Sequence, residues 1–167
     1  MKESESWSDK MHEIGILSDT RLESGKLELP VKIQEIFKNV ELIIHAGNIY
    51  KEFVLEELEK YAPVVAIKGN GDEESNFSRE LPRFKEIKIG GFNIGIFHEK
   101  PGLEDITKRN IDILITGNTC IPKIEESREI RLSLNPGSPT FPKKYKNGTV
   151  ILLKIDEDML FSYIIKL

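Results

Sequence analysis

Short apolar runs that each end in a polar loop constrain the fold of this chain more than any other feature. The first half comprises predicted strands 14–17, 42–44 and 64–67, with predicted helices 30–39 and 53–61 between them. Each strand is long enough to be buried and too short for a helix of ordinary length. A parallel strand pair needs a long crossover connection, so this alternation favours parallel strands covered by helices.

From residue 84 onward the pattern changes to hairpins. Segments 84–89 and 92–97 flank the Gly90-Gly91 pair, which is typical of a tight turn between antiparallel strands. The remaining predictions are a helix at 103–110, a strand at 111–115, a hairpin at 123–134 and two final strands at 149–155 and 159–167. The sequence therefore predicts a layered α/β protein with a parallel βαβ first half and a hairpin-rich second half.

Length and composition exclude several classes of protein. The chain has 167 residues, which suits one domain at residues 12–167 preceded by a mobile polar extension at residues 1–11. Lys and Arg total 24 against 28 Asp and Glu, and this net charge of −4 argues against a nucleic-acid groove. The single cysteine excludes an internal disulfide, and no apolar run is long enough for a membrane span. We expect a soluble cytoplasmic protein whose oligomeric state the sequence leaves open.

Polar side chains collect where the predicted strands end. In open α/β sheets the ligand crevice lies outside the carboxyl ends of the strands, so five such ends predict one shared site. The candidate residues are Asp19, Arg21, Asn48, Asn70, Asp72, His98, Glu99, Asn118 and Cys120.

These residues also carry a family resemblance. The runs GILSDT, IIHAGN, AIKGNGD, IGIFH, ILITGNT and NPGSPTFP resemble the calcineurin-like metallophosphoesterases, in order and spacing, from residue 14 to residue 167. The chain is most similar to the small, single-domain phosphodiesterase branch, and it is also similar to the retromer scaffold subunit, which has the same fold and binds partner proteins. The resemblance implies a two-sheet α/β sandwich with a two-metal centre at the strand ends. The family motifs are D-x-H, G-D, G-N-x-D, H-G and G-H-x-H, and they supply seven protein ligands.

Only three of those seven ligands are present in this chain. The resemblance places Asp19, Asn70 and His98 at ligand positions, where they form a candidate metal or anion pocket. The substituted ligand positions, which the family fills with His, Asp, His and His, are Arg21, Asn48, Asn118 and Cys120. Glu99 replaces the Gly of H-G and is a candidate substitute ligand. Asp72 matches the last Asp of G-N-x-D and is a candidate catalytic residue.

The substitutions change the electrostatics of a two-metal site. Two dications about 4 Å apart repel by roughly 17 kcal/mol at an effective dielectric constant of 20, and a bridging carboxylate normally offsets this repulsion. Asn48 offers only a dipole at the bridging position, and Arg21 adds a fixed positive charge. We therefore expect no tightly bound cofactor, and any metal that does bind should be divalent Mn, Ni or Zn.

Three arrangements of the site follow. Arg21 can pair with Asp19 in place of the missing cation and form a metal-free anion pocket, because an Arg fork suits phosphate. Arg21 can instead point to solvent from its loop. A one-metal remnant would use His98, Asp19, Glu99 and Cys120, since a thiolate favours zinc.

The sequence also leaves three functions open. The protein is a catalytically weak or silent binding or scaffold module, a sensor of a phosphorylated small molecule, or a metal-dependent phosphodiesterase with a rearranged site. The expected partner is a phosphate-containing small molecule or a protein. Four lost ligands favour the binding functions over hydrolysis.

Overall fold

A computed structural model describes residues 11–23 and 28–167 of the chain. The predicted extension, apart from Met11, lies outside the described residues. The strands are β1 (His12–Leu17), β2 (Leu42–His45), β3 (Val64–Ala66), β4 (Phe84–Ile89), β5 (Phe92–Phe97), β6 (Ile113–Ile115), β7 (Lys123–Glu125), β8 (Leu132–Asn135), β9 (Thr149–Asp156) and β10 (Met159–Lys166). The helices are α1 (Lys32–Phe37), α2 (Glu52–Glu59) and α3 (Leu103–Lys108), and a 3-10 turn spans Asn70–Asp72.

Within the described residues the strands form two five-stranded sheets. The first has the order β10-β9-β1-β2-β3, and β1, β2 and β3 are parallel, as the alternating pattern predicts. The second has the order β4-β5-β6-β8-β7, with the predicted hairpins β4-β5 and β7-β8 at its edges. The α/β sandwich is therefore confirmed. One feature was not predicted: β5, β6 and β8 pair in parallel, because α3 and the β7 hairpin serve as crossovers.

The core lies between the facing sheets and under the helices. Ile14, Ile16 and Ile44 of the first sheet belong to one buried cluster with Ile94 and Ile113 of the second. Alternate residues of a strand face opposite sides, so the other face of the first sheet is free to carry α1 and α2. Full burial of each isoleucine contributes about 1.5–3 kcal/mol.

Gly15 lets α1 approach the first sheet closely. A Cβ at this position would lie 2.7 Å from the ring of Phe37, so only glycine fits. This contact fixes the helix over β1 and, with it, the loop that follows β1. Among the helices described, none is long and apolar enough to cross a membrane.

Candidate functional site

The loops that follow the parallel strands of both sheets contact one another at one end of the sandwich. Asp19 of the loop after β1 receives hydrogen bonds from residues of the loops after β2 and β6. Its own carbonyl oxygen accepts a 2.8 Å hydrogen bond from Ser138 of the loop after β8. The loops that follow the predicted strands therefore meet at Asp19.

Asp19 has a fully buried carboxylate that is saturated with hydrogen bonds. Its Oδ1 accepts from Arg21 Nη2 at 3.2 Å and from Asn48 Nδ2 at 2.9 Å. Its Oδ2 accepts from Ser18 Oγ at 2.8 Å and from the Asn118 backbone N–H at 2.9 Å. An ionised carboxylate has about four lone-pair sites, and these four donors use them all.

Arg21 turns toward Asp19 and not toward solvent, and its side chain is only 27% exposed. Partial burial opposes its charge, but interactions with Cys120 and Asp19 outweigh that burial and raise the pKa of the guanidinium. The positively charged Arg21 guanidinium therefore lies against Asp19 Oδ1. The first of the three arrangements predicted from the sequence, in which the guanidinium replaces a metal cation, requires this contact.

His98 presents one ring nitrogen to the same carboxylate. Its Nδ1–H donates to the carbonyl oxygen of Ala46 at 2.7 Å, which leaves Nε2 directed toward Asp19 Oδ1, 3.8 Å away. The ring is 4% exposed, and Nε2 has no hydrogen-bond partner. A buried polar atom without a partner is uncommon and points to a missing ligand, ion or water.

Asp72 holds two loops together and does not face the pocket. Its buried carboxylate accepts backbone N–H bonds from Gly69, Ile49 and Tyr50, at 2.9, 2.9 and 2.8 Å. These three bonds join the loop after β2 to the 3-10 turn. The candidate catalytic role of Asp72 thus becomes a positioning role in this geometry.

The remaining candidates lie around the rim. Asn70 Nδ2 donates to Glu99 Oε1, so these two exposed side chains bind each other. Asn118 is exposed and contributes its backbone N–H to Asp19. The Cys120 thiol is buried, and burial together with the Asp19 charge raises its pKa.

The side chains present do not fit a binuclear metal centre. The lone pairs of Asp19 are taken, and Asn48 directs an N–H group toward Asp19 where a bridging ligand would present oxygen. The Arg21 guanidinium occupies the same Asp19 oxygen. In the described part of the chain, no three or more His, Cys, Asp or Glu side chains are grouped to hold a metal ion. A second cation would therefore have to displace Arg21 and turn the Asn48 amide.

Sequence reasoning missed two buried residues that support Asp19. Ser18 donates to its carboxylate, and the Ser138 hydroxyl donates to its backbone carbonyl. The nearby His45 matches the sequence-based interpretation of a hydrogen-bonded structural histidine: it is fully buried, its Nδ1 accepts from the Gly47 N–H at 3.2 Å, and its Nε2–H donates to Thr20 at 3.0 Å. Ser18 and Ser138 lie inside the runs GILSDT and NPGSPTFP, and this adjacency was the available signal.

Comparison with known proteins agrees with the fold. Residues 12–158 match the calcineurin-like phosphoesterase superfamily domain. A probable metallophosphoesterase of Methanothermobacter thermautotrophicus is 35% identical over 161 residues, which cover 92% of this chain and 91% of the relative. A phosphodiesterase of Methanocaldococcus jannaschii is 31% identical over 140 residues, which cover 74% of this chain and 82% of the relative.

Solved structures show the same fold. Vacuolar protein sorting 29 (Vps29) of Cryptosporidium parvum superposes with a TM-score of 0.79 and 23% identity, over 94% of this chain and 92% of that chain. Vps29 of Entamoeba histolytica, solved in complex with Zn²⁺, gives a TM-score of 0.72 and 20% identity over 92% and 98% of the two chains. Together with the sequence match, these likenesses show that the chain belongs to the calcineurin-like phosphoesterase superfamily.

Proposed function

We propose that this family member binds a phosphate-containing small molecule at Arg21 and His98, without a binuclear metal centre and with little or no hydrolytic activity. One observation carries the proposal. Among the described residues, the buried side-chain nitrogens that lack a partner are Arg21 Nε and His98 Nε2. Both residues contact Asp19 Oδ1, at 3.2 and 3.8 Å, so both unused nitrogens belong to side chains that lie beside the same carboxylate.

A phosphate group has the oxygens that these nitrogens lack. Its charged oxygens accept from the Arg21 Nε–H, and Arg is suited to oxyanions because of its planar set of donors. In the neutral ring, whose Nδ1–H is bonded to the Ala46 carbonyl oxygen, His98 Nε2 accepts from the protonated phosphate oxygen. Asp19 does not oppose the anion at full strength, because Arg21 neutralises it at 3.2 Å.

A purely scaffolding role is favoured less by the pocket. A scaffolding role assigns no partner to Arg21 Nε and His98 Nε2, whereas the oxygens of a phosphate group can pair with both. We propose that the protein works in the cytoplasm, because its one cysteine cannot form a disulfide within the chain, as is common for proteins of reducing compartments.

Phosphate binding can be measured by isothermal titration calorimetry with inorganic phosphate, in metal-free buffer. Removal of Arg21 by Arg21→Ala should weaken binding about 10- to 100-fold, because a charge-assisted hydrogen bond contributes about 1.5–3 kcal/mol. The matched control is Arg83→Ala, which removes an exposed Arg that pairs with Glu73. Equal affinity for wild type and Arg21→Ala, or no binding by wild type, would refute the proposal.

A second candidate is a metal-dependent phosphodiesterase with a rearranged site. It is supported by the His98 Nε2 lone pair beside Asp19 and by relatives named as probable metallophosphoesterase and phosphodiesterase. The decisive assay is hydrolysis of bis(p-nitrophenyl) phosphate with Mn²⁺, Ni²⁺ or Zn²⁺, with Asp19→Ala in parallel. Metal-dependent turnover that Asp19→Ala abolishes would establish this function in place of the first.

A further inference from the structure

A cavity of about 400 Å³ opens beside the proposed phosphate pocket. Leu114 and Ile121 supply apolar lining, and Asn118 and Thr119 supply polar groups. Leu114, Asn118 and Thr119 belong to the run ILITGNT, but the contacts around Asp19 do not account for the apolar part of the cavity. Its volume falls in the usual range of small-molecule sites, about 300–1,000 Å³.

The cavity and the phosphate pocket share one wall, the backbone segment 117–119. On the pocket side, the Asn118 N–H donates to Asp19 Oδ2 at 2.9 Å. A Cβ at Gly117 would lie 2.0 Å from Ser18 Oγ and 3.0 Å from Asp19 Oδ2, so glycine is needed for this close approach. On the cavity side, Gly117 and Asn118 both belong to the lining. The two spaces are thus separated by the thickness of one backbone.

Hydrogen bonds from Asn135 hold the segment 117–119 in place, and this segment carries the exposed side-chain amide of Asn118. Asn135 Nδ2 donates to the Gly117 carbonyl oxygen at 2.8 Å and to Thr119 Oγ1 at 3.1 Å. In the part of the chain that the structure describes, the exposed Asn118 side chain makes no hydrogen bond, so its amide can contact a ligand that crosses the wall. A rigid wall with a free amide favours a ligand that occupies both sides.

The chemistry of the cavity selects the class of ligand. Lys123 Nζ pairs with Glu125 at 2.8 Å, and Lys100, the second cation of the lining, acts on the same carboxylate. The apolar side chains of Leu114 and Ile121 suit the face of a ring. We propose that the ligand is a phosphate monoester with a ring-containing organic group of nucleoside size, whose phosphate binds at Arg21 and His98 and whose ring group fills the cavity. This inference rests on the proposed function, because the phosphate is its anchor.

The test compares inorganic phosphate with adenosine monophosphate in calorimetric titrations of the wild-type protein. We expect the monoester to bind at least about 10-fold more tightly, since burial of its ring adds apolar contact. Ile121→Asp should remove most of that difference and leave phosphate affinity within about twofold, because Ile121 is 42% exposed and lies outside the buried core. Ser133→Phe, which fills the cavity from β8, should have the same effect. The matched control is Val31→Asp, an exposed apolar residue that does not line this cavity.

The outcomes separate the two proposals. If phosphate binds through Arg21 and the monoester binds no more tightly, the cavity inference is wrong and the proposed function stands. If the monoester binds with an affinity that Arg21→Ala leaves unchanged, the link between cavity and pocket is refuted. If neither compound binds, both proposals fail.

Discussion

Restoration of two family ligands should make the stability of this protein depend on metal. The double substitution Arg21→His/Asn48→Asp rebuilds D-x-H and G-D and removes the guanidinium from Asp19. Asn48 Oδ1 accepts from the Gly71 N–H at 2.9 Å, and an aspartate keeps that bond. Its second oxygen then replaces the Asn48 Nδ2 atom, 2.9 Å from Asp19 Oδ1. A favourable hydrogen bond becomes a contact between two carboxylates.

The size of the effect follows from that distance. Two unit charges 2.9 Å apart repel by about 6 kcal/mol at an effective dielectric constant of 20. Uptake of one proton relieves the repulsion, and protonation at pH 7 of a carboxyl with an ordinary pKa costs about 4 kcal/mol. Proton uptake is the smaller cost, so we expect the metal-free double variant to lose about 4 kcal/mol. For a chain of this length that corresponds to a melting temperature lower by about 8–16 °C.

The assay is thermal unfolding in EDTA and in a series of Mn²⁺ or Zn²⁺ concentrations. Metal at a concentration a hundred times its dissociation constant should raise the free energy of unfolding of the double variant by about 2.7 kcal/mol. The same metal should change the free energy of unfolding of wild type little. Asn48→Asp alone should lose less than the double variant, because Arg21 remains to neutralise both carboxylates. Asn39→Asp adds the same single charge as Asn48→Asp at an exposed position and controls for the net charge of that single variant. A double variant as stable as wild type in EDTA would refute the electrostatic reasoning, as would an equal metal effect on wild type.

Two further predictions concern buried groups that support the site. Burial, and to a lesser extent the neighbouring His98, lowers the pKa of His45 to about 3, so its contribution to stability is complete above the unfolded pKa near 6.5 and is lost as pH falls toward 3. Between pH 7 and pH 5 this loss is about 2 kcal/mol. The free energy of unfolding, measured with urea at several pH values, should therefore fall less steeply with decreasing pH for His45→Gln than for wild type. An equal pH dependence of the two proteins would contradict the burial argument. Asp72→Ala leaves three backbone N–H groups without an acceptor and should cost about 3–5 kcal/mol in urea unfolding, whereas Asp72→Asn keeps the oxygen that binds Ile49 and Tyr50 and should cost about half as much. Equal losses for the two variants would show that the carboxylate acts by some route other than these bonds.

The strands were predictable because each one is a local apolar run closed by a loop. The boundaries of α1 were less so: the predicted helix at 30–39 begins at Lys32, because Pro30 and Val31 form the preceding turn and accept from the Ile33 and Gln34 N–H groups. Parallel pairing of β6 with β5 and β8 was missed, since three-residue strands carry no local signal of their partners.

The site could be predicted as a set of loops but not as a set of contacts. Strand ends and motif spacing predicted that Asp19, Asn48 and His98 lie close together, and Asn48 and His98 do lie beside Asp19 in the structure. They left the direction of Arg21 open, because that direction depends on its backbone angle, φ 47°, and on the burial of its neighbours. Hydroxyl donors such as Ser18 are common in every loop, and only the fold shows that this one is buried against a carboxylate.

The strained backbone of these loops is held by hydrogen bonds within the protein. Pairs of residues two apart have left-handed backbone in three loops: Asp19 and Arg21, Asn48 and Tyr50, Asn118 and Cys120. This conformation costs roughly 1 kcal/mol or more for most residues other than glycine, so surrounding contacts must offset it. Here the offset comes from the protein itself, through the four donors to Asp19, the three to Asp72 and the Ser138 hydroxyl. Loops held by their own hydrogen bonds, with Arg21 Nε and His98 Nε2 left without partners, support the proposed phosphate ligand, because such a ligand supplies oxygen atoms to a site that is already ordered.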